Sequence, residues 1–326
     1  MGLNFGTQPI TAWVIDHPAH VHILNQFIQG SNKDDIVFAV ERPEVHSLIC
    51  GTTFHGRPLH WLPRPAGPIS KIRRFLRAVR RQRLVKRILL QHGRIERLVS
   101  INAPLEIRAA LRAKISQRIL VLDVERDHLV QRLSVGSATR IAVPTDWMDD
   151  LAHRCMSSHD LIRLQGPWAH LYVNGGAKPP ANKNILIRRL KGDGNHDSDE
   201  MVSVESFVEN ISPSIIWDED TALDDPWCGP TLALDAIGVI SQSVTVAIEA
   251  VLLGRPVLLV SRAQRGVIDG LIARGAPLLR WTSENDILVF EHWTECLENS
   301  PNWSDPQGAD VIADWMKLLV HRGTLN

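Results

Sequence analysis

A chain of 326 residues with 44% hydrophobic and 22% charged residues is long enough for two globular domains with separate cores. Its 36 basic residues balance 36 acidic ones, so no overall electrostatic pull toward nucleic acid is implied. Four scattered cysteines without a CxxC pair imply neither a disulfide framework nor a zinc site, and no apolar run reaches the roughly 18 residues of a membrane span.

Thr11 to Asp16 reads as a strand. It runs into His17-Pro18-Ala19-His20 and then a helix from Val21 to about Gln29, apolar at Val21, Leu24, Phe27 and Ile28. Ile36 to Glu41 is a second strand. This β-α-β opening predicts a parallel sheet, whose ligands gather at the carboxyl ends of the strands. Asp16, His17 and His20 stand at such an end. A histidine there, with an ordinary pKa of about 6.5, is suited to take a proton from an attacking hydroxyl. A carboxylate at Asp16 is placed to orient the ring. The alternative is that His20 or His22 caps or packs the helix.

Lys71 to Arg87 holds nine Lys or Arg and no acid, with Ile72, Phe75, Leu76 and Val79 on one helical stripe. Two readings stand: a solvated outer helix, or a helix lying on an anionic membrane surface. Arg97 to Asn102 and Arg118 to Asp123 are further strands, the latter running into Asp123-Val124-Glu125 at another carboxyl edge. Thr139 to Val143 is a short strand.

Gly166-Pro167, Asn174-Gly175-Gly176 and Pro179-Pro180 mark a connection. The predicted domains are 1–174 and 175–305, with a C-terminal helix in 306–326 expected to pack back toward the first. Asn184 to Arg189 opens the second domain as a strand, and Arg188 and Arg189 at its end are suited to neutralise a diphosphate. Asp193 to Asp225 holds eleven Asp or Glu and no Lys or Arg. Its Asp197-Ser198-Asp199 and Asp218-Glu219-Asp220 have the DxD spacing of some metal sites, a spacing that acid-rich solvated loops also produce. Ser214 to Trp217 is a strand.

The stretch Ala236 to Ser261 reads as strand, tight turn, helix, strand, a βαβ unit. Ala236 to Ile240 is its first strand and Ser241-Gln242-Ser243 its turn. Gly254 ends its helix and Val257 to Val260 is its second strand. A helix start of small hydroxyl residues leaves backbone N–H groups bare, and the helix dipole favours an anion there. Ser241, Ser243 and Thr245 stand at that corner. Glu249 lies one turn beyond Thr245, placed to accept from a ribose diol whose phosphates rest on the turn. The alternative is that Ser243 merely caps the helix. A helix at Val267 to Ala273 carries Asp269, Leu278 to Trp281 is the last strand, and Ser283 to Asn299 and Asp310 to Val320 are amphipathic helices.

The run from Ser243 through Glu249-Ala250 to Gly254-Arg255-Pro256 resembles the nucleotide-sugar-binding segment of the GT-B superfamily. That group includes the peptidoglycan N-acetylglucosaminyl transferases and the non-hydrolysing UDP-N-acetylglucosamine 2-epimerases. The resemblance implies that Ser243 lies near the diphosphate and that Glu249 binds the uridine ribose. The epimerases' paired glycines after the serine are replaced here by Val244 and Thr245. Ile15-Asp16-His17-Pro18-Ala19-His20-Val21-His22 resembles the first loop of an uncharacterised GT-B-like family of archaea and bacteria. The epimerases carry a functional histidine in a His-Arg-Arg run where this chain has Leu190, which counts against epimerase chemistry.

The fold expected on this resemblance is α/β, with two Rossmann-like domains facing across a cleft. The function expected is a metal-independent glycosyltransferase moving a sugar from a UDP-linked donor to a hydroxyl on a carbohydrate or lipid-linked acceptor. His20 and Asp16 are its catalytic candidates. Ser241, Ser243, Thr245, Glu249, Arg188 and Arg189 are its donor contacts, and His17, Asp123, Glu125 and Asp269 its acceptor or sugar contacts. The nucleotide-sugar is a co-substrate and no other cofactor is expected. A sugar-nucleotide epimerase or a non-catalytic nucleotide-sugar-binding protein are the alternatives. Without a signal-peptide layout, a cytoplasmic setting is expected, peripheral at the inner membrane face if Lys71 to Arg87 binds lipid.

Overall fold

The computed structural model describes residues 9–49, 53–64, 71–125, 128–148, 151, 160–173, 180–191, 201–219, 221, 223–283, 286–299 and 303–320. The junction expected at 174/175, Asp197-Ser198-Asp199, Asp220, Cys50 and Cys155 lie outside these residues. Two compact units divide the chain: residues 1–165 with 313–326, and residues 166–312.

The first unit contains β1 (Thr11–Ile15), α1 (Pro18–Gln29), β2 (Ile36–Val40), α2 (Pro43–Leu48), β3 (Thr53–Phe54), β4 (Arg57–Leu62) and α3 (Lys71–His92). It continues with β5 (Arg97–Ile101), α4 (Pro104–Arg112), β6 (Gln117–Val121), α5 (His128–Ser134), β7 (Arg140–Pro144) and β8 (Asp160–Leu164). The sheet order is β3-β4-β2-β1-β5-β6-β7-β8, parallel but for the β3–β4 hairpin. β1, β2 and β5 are buried along their whole length, as strands covered on both faces must be. Trp315 stacks on Phe27 with centroids 5.6 Å apart, and the Arg97 guanidinium donates to the Leu319 carbonyl.

Two details differ from the sequence reading. Helix α1 starts at Pro18 rather than Val21, because the fixed φ of proline suits the first helical position. His17 is its N-cap, its Nδ1 accepting from the Ala19 N–H at 3.2 Å. His20 therefore sits in the first turn of α1. The basic helix extends to His92 and is not uniformly solvated. Arg81, Gln82, Val85 and Leu89 are buried, while Ile72, Phe75 and Leu76 are 73%, 66% and 49% exposed.

The second unit contains β9 (Ile185–Arg189), α6 (Glu205–Asn210), β10 (Ser214–Asp218), α7 (Gly229–Asp235), β11 (Gly238–Ser241) and α8 (Val244–Leu252). β12 (Val257–Val260), α9 (Gly266–Ala273), β13 (Leu278–Trp281) and α10 (Ile287–Asn299) follow, and α11 (Gly308–Val320) begins in this unit and carries the chain into the first from residue 313. All strands are parallel in the order β10-β9-β11-β12-β13. One face packs Leu186, Val239 and Leu259 with Ala247 and Val251 of α8. The other packs Ile187, Ile240 and Leu258 with Phe207 and Trp293. A Cβ at Gly238 would stand 2.2 Å from Leu297 Cδ2 and 3.2 Å from the Trp293 ring, so a larger residue would require those α10 side chains to move. Gly254, at φ +78°, closes α8: its N–H donates to Val251 O and that of Arg255 to Ala250 O, the paired bonds of a Schellman motif. No helix among the described residues is long and apolar enough to cross a membrane.

Candidate functional site

In the second unit, consecutive connections leave the sheet in opposite directions from β9 and β11. A parallel sheet binds its ligands in the crevice at such a reversal point. Arg188 pairs with Ser241 across it. Beyond them Gln242 acts as a clamp: its amide donates to Val202 O at 2.6 Å and accepts from Leu190 N–H at 2.8 Å. Ser241 is fully buried, at the end of β11 rather than in the turn. Its Oγ donates to Ser243 O at 2.8 Å and accepts from Ser243 N–H at 3.0 Å, so this hydroxyl shapes the turn. Ser243 caps α8, its Oγ accepting from Val246 N–H at 3.4 Å. Thr245 is half-buried on the first turn.

Glu249 is 7% exposed, and its Oε1 accepts from the Tyr172 hydroxyl at 2.7 Å. Burial pushes the Glu249 carboxyl up to about 7, opposed by the Tyr172 hydrogen bond and the charge of Arg188. Tyr172, the one tyrosine in the sequence, follows the 3₁₀ turn Trp168–Leu171.

The alternation of a strand separates the two arginines. Arg188 stacks 4.2 Å over the Trp217 ring and donates to the carbonyls of Trp217 and Asp218, at 3.2 and 2.7 Å. Its Nε is buried without a hydrogen-bond partner among the described residues. Arg189 faces the other way, bidentate to Asp218 at 2.6 and 3.1 Å and paired with Glu205 at 3.2 Å. Its guanidinium is engaged by carboxylates, so of the two it is Arg188 that can meet a diphosphate. Asp269 pairs with Arg280 at 2.8 Å on the surface. Among the described residues no three His, Cys, Asp or Glu gather as metal ligands would.

The first unit brings a second group together at the carboxyl edge of β1, β5 and β6. His20 is buried, and its Nδ1 accepts from the Asp16 main-chain N–H at 3.3 Å. The neutral ring therefore carries its proton on Nε2, which lies 3.9 Å from Asp123 Oδ2. Burial, then the proximity of His17 and Arg42, push the His20 pKa well down and hold the ring neutral. The expected pairing of the Asp16 carboxylate with the ring is replaced by this main-chain bond. That carboxylate instead turns to Arg81, 3.7 Å away, whose Nε donates to the buried Glu106 at 2.6 Å. Glu125 is buried and structural: Oε1 accepts from Met148 N–H at 2.9 Å, and its carbonyl from the Gln131 amide at 2.6 Å. His17 is exposed at the same edge as His20. Tyr172, Gln242 and Arg81 are the participants the sequence reading missed.

Two α/β units with parallel sheets are a two-domain Rossmann-like architecture, the GT-B fold, and solved structures share it. MnaA of S. aureus, solved with UDP, matches with a TM-score of 0.66 at 12% identity, over 95% of this chain and 96% of that one. The UDP-GlcNAc 2-epimerase of Methanocaldococcus jannaschii, in complex with UDP-GlcNAc and UDP, matches at 0.63 and 11%, over 94% and 99%. The spinosyn forosaminyltransferase SpnP matches at 0.52 and 12%, over 97% and 100%. No protein-family model and no curated protein matches the sequence.

Proposed function

We propose that the protein is a glycosyltransferase that takes a nucleoside-diphosphate sugar, UDP-linked, as donor. The observation that carries this reading is the buried Glu249–Tyr172 pair one turn beyond the open N-terminus of α8, at the reversal point of a parallel sheet. The N–H groups at the start of α8 receive the diphosphate with the help of Arg188, and the Glu249 carboxylate accepts from the ribose hydroxyls. In the first unit, Asp123 takes the proton of the acceptor hydroxyl while His20, through Nε2–H, orients that carboxylate. The departing diphosphate is stabilised by the helix dipole and Arg188, so the step needs no metal in this scheme. The exposed apolar stripe of α3, flanked by Arg73, Arg77 and Arg80, would bring the protein to an anionic membrane carrying a lipid-linked acceptor.

A second reading, a sugar-nucleotide 2-epimerase, is favoured by the fold likeness to several solved enzymes of that name. It is disfavoured by Leu190, which offers no acid or base at the position where the resemblance to the epimerase family implies a histidine. Incubation with radiolabelled nucleotide sugars separates them. Slow donor hydrolysis supports the transferase, interconversion the epimerase, and binding without turnover a sensor.

A further inference from the structure

We propose that Arg42 and Arg64 form an oxyanion subsite in the first unit, and that the acceptor carries a phosphate or carboxylate group which this pair holds. The word acceptor rests on the transferase reading; the anion subsite rests on side chains of the first unit alone.

Register places the two arginines together. β2 and β4 are neighbours, with Val40 paired to Leu62, and Arg42 and Arg64 each stand two residues past those partners. Both lie at the carboxyl edge, beside the end of β1, where Ile15 pairs with Ala39 and leads into Asp16 and His17. Arg42 is half-buried, and its Nε is buried without a partner among the described residues.

Among the described residues no carboxylate pairs directly with either arginine, and Asp16 offsets only part of their charge from a distance. Asp16 turns to Arg81, and Arg81 is bonded to Glu106. Asp16 and Glu44 act on Arg42 at longer range, against the repulsion of Arg64 and Arg81. Among the described residues no carboxylate lies within ion-pair distance of Arg42 or Arg64. Two like charges held together, one of them partly stripped of water, cost stability until an anion arrives. Two planar guanidinium forks present the geometry that an oxyanion accepts in bidentate fashion. His17 adds a donor: with Nδ1 held by Ala19 N–H, its neutral ring has the proton on Nε2. The subsite lies along the same strand edge as His20 and Asp123, where an anionic group would fix one end of an acceptor whose hydroxyl is being deprotonated.

The test uses the full chain saturated with UDP, so that the start of α8 is occupied. Melting temperature is followed against inorganic phosphate, acetate and chloride at matched ionic strength. Phosphate or acetate is expected to stabilise beyond chloride. The stronger response assigns a phosphorylated or a carboxylated acceptor. Arg64→Gln, at an exposed position that leaves folding intact, and Arg42→Gln should each raise the midpoint about tenfold or more. An unchanged midpoint in both variants, or no response of the wild type beyond chloride, overturns the subsite. Absence of any UDP effect would count against the donor reading instead, and the dependence on Arg42 and Arg64 would still be read from the phosphate and acetate curves.

Discussion

At position 249 burial pushes the carboxyl up to about 7 while Tyr172 and Arg188 pull it down. The folded pKa is raised above the ordinary 4.5, so between those values the native state holds a proton that the unfolded chain has lost. Stability therefore falls as pH rises through that window, and the charged form carries its full cost above it. Glu249→Gln, which cannot ionise, is expected to melt close to wild type at pH 5 and above it at pH 8. A gap that does not change with pH would mean the carboxyl titrates normally. UDP binding should respond in the opposite sense if, as proposed, the carboxylate accepts from the ribose. Calorimetry of Glu249→Ala should show a loss of about 1.5–3 kcal/mol. His20 calls for a different readout. His20→Ala and Asp123→Asn should each lower turnover roughly 10²–10⁴-fold. Asp16→Asn should cost less, because the group that holds the ring is the main-chain N–H, which asparagine keeps. Turnover per folded molecule, with melting temperature as control, checks the order.

Helix α3 shows how one element serves two surroundings. Toward the sheet it buries Val85 and Leu89 together with Arg81, whose charge is met by Glu106. Removing one member of such a buried pair strands the other, so Arg81→Ala is expected to destabilise by about 3–5 kcal/mol in denaturant unfolding. Toward solvent its first turns expose Ile72, Phe75 and Leu76 among arginines. Phe75→Ser with Leu76→Ser should change stability by no more than about 0.5 kcal/mol each, as surface substitutions do. The same pair should abolish flotation with vesicles containing phosphatidylserine, and salt should weaken flotation of the wild type. Flotation that is indifferent to both would leave the stripe as an ordinary solvated face.

For the molecule as a whole, Glu249 and Arg188, proposed to hold the donor, and His20 and Asp123, proposed for acid/base work, lie in separate compact units with separate cores. Substitutions in the two should act on separate steps and combine additively. His20→Ala is expected to leave the UDP affinity unchanged, Glu249→Ala to weaken it, and the double variant to bind UDP as Glu249→Ala does. A double variant that binds more weakly than Glu249→Ala would show His20 taking part in donor binding.

Much of this protein is local in origin. Continuous apolar runs declare strands such as β1, β2 and β12, because a strand covered on both faces has no polar face to show. The βα turn and the glycine that ends α8 are equally legible, since capping and left-handed backbone are decided within a few residues. Glu249 one turn past Thr245 follows from helical pitch. What stayed hidden depends on residues far apart in the chain. Tyr172 meets Glu249 across 77 positions, and Gln242 closes on Leu190 and Val202 across 52 and 40. Arg81, part of a basic run in sequence, becomes a buried partner of Glu106 only when α3 lies against α4. β4, with its half-exposed polar pattern, is a strand because β2 offers it a ladder. Propensity and spacing act over one or two turns, whereas these contacts arise from which strands pair and which helix covers them.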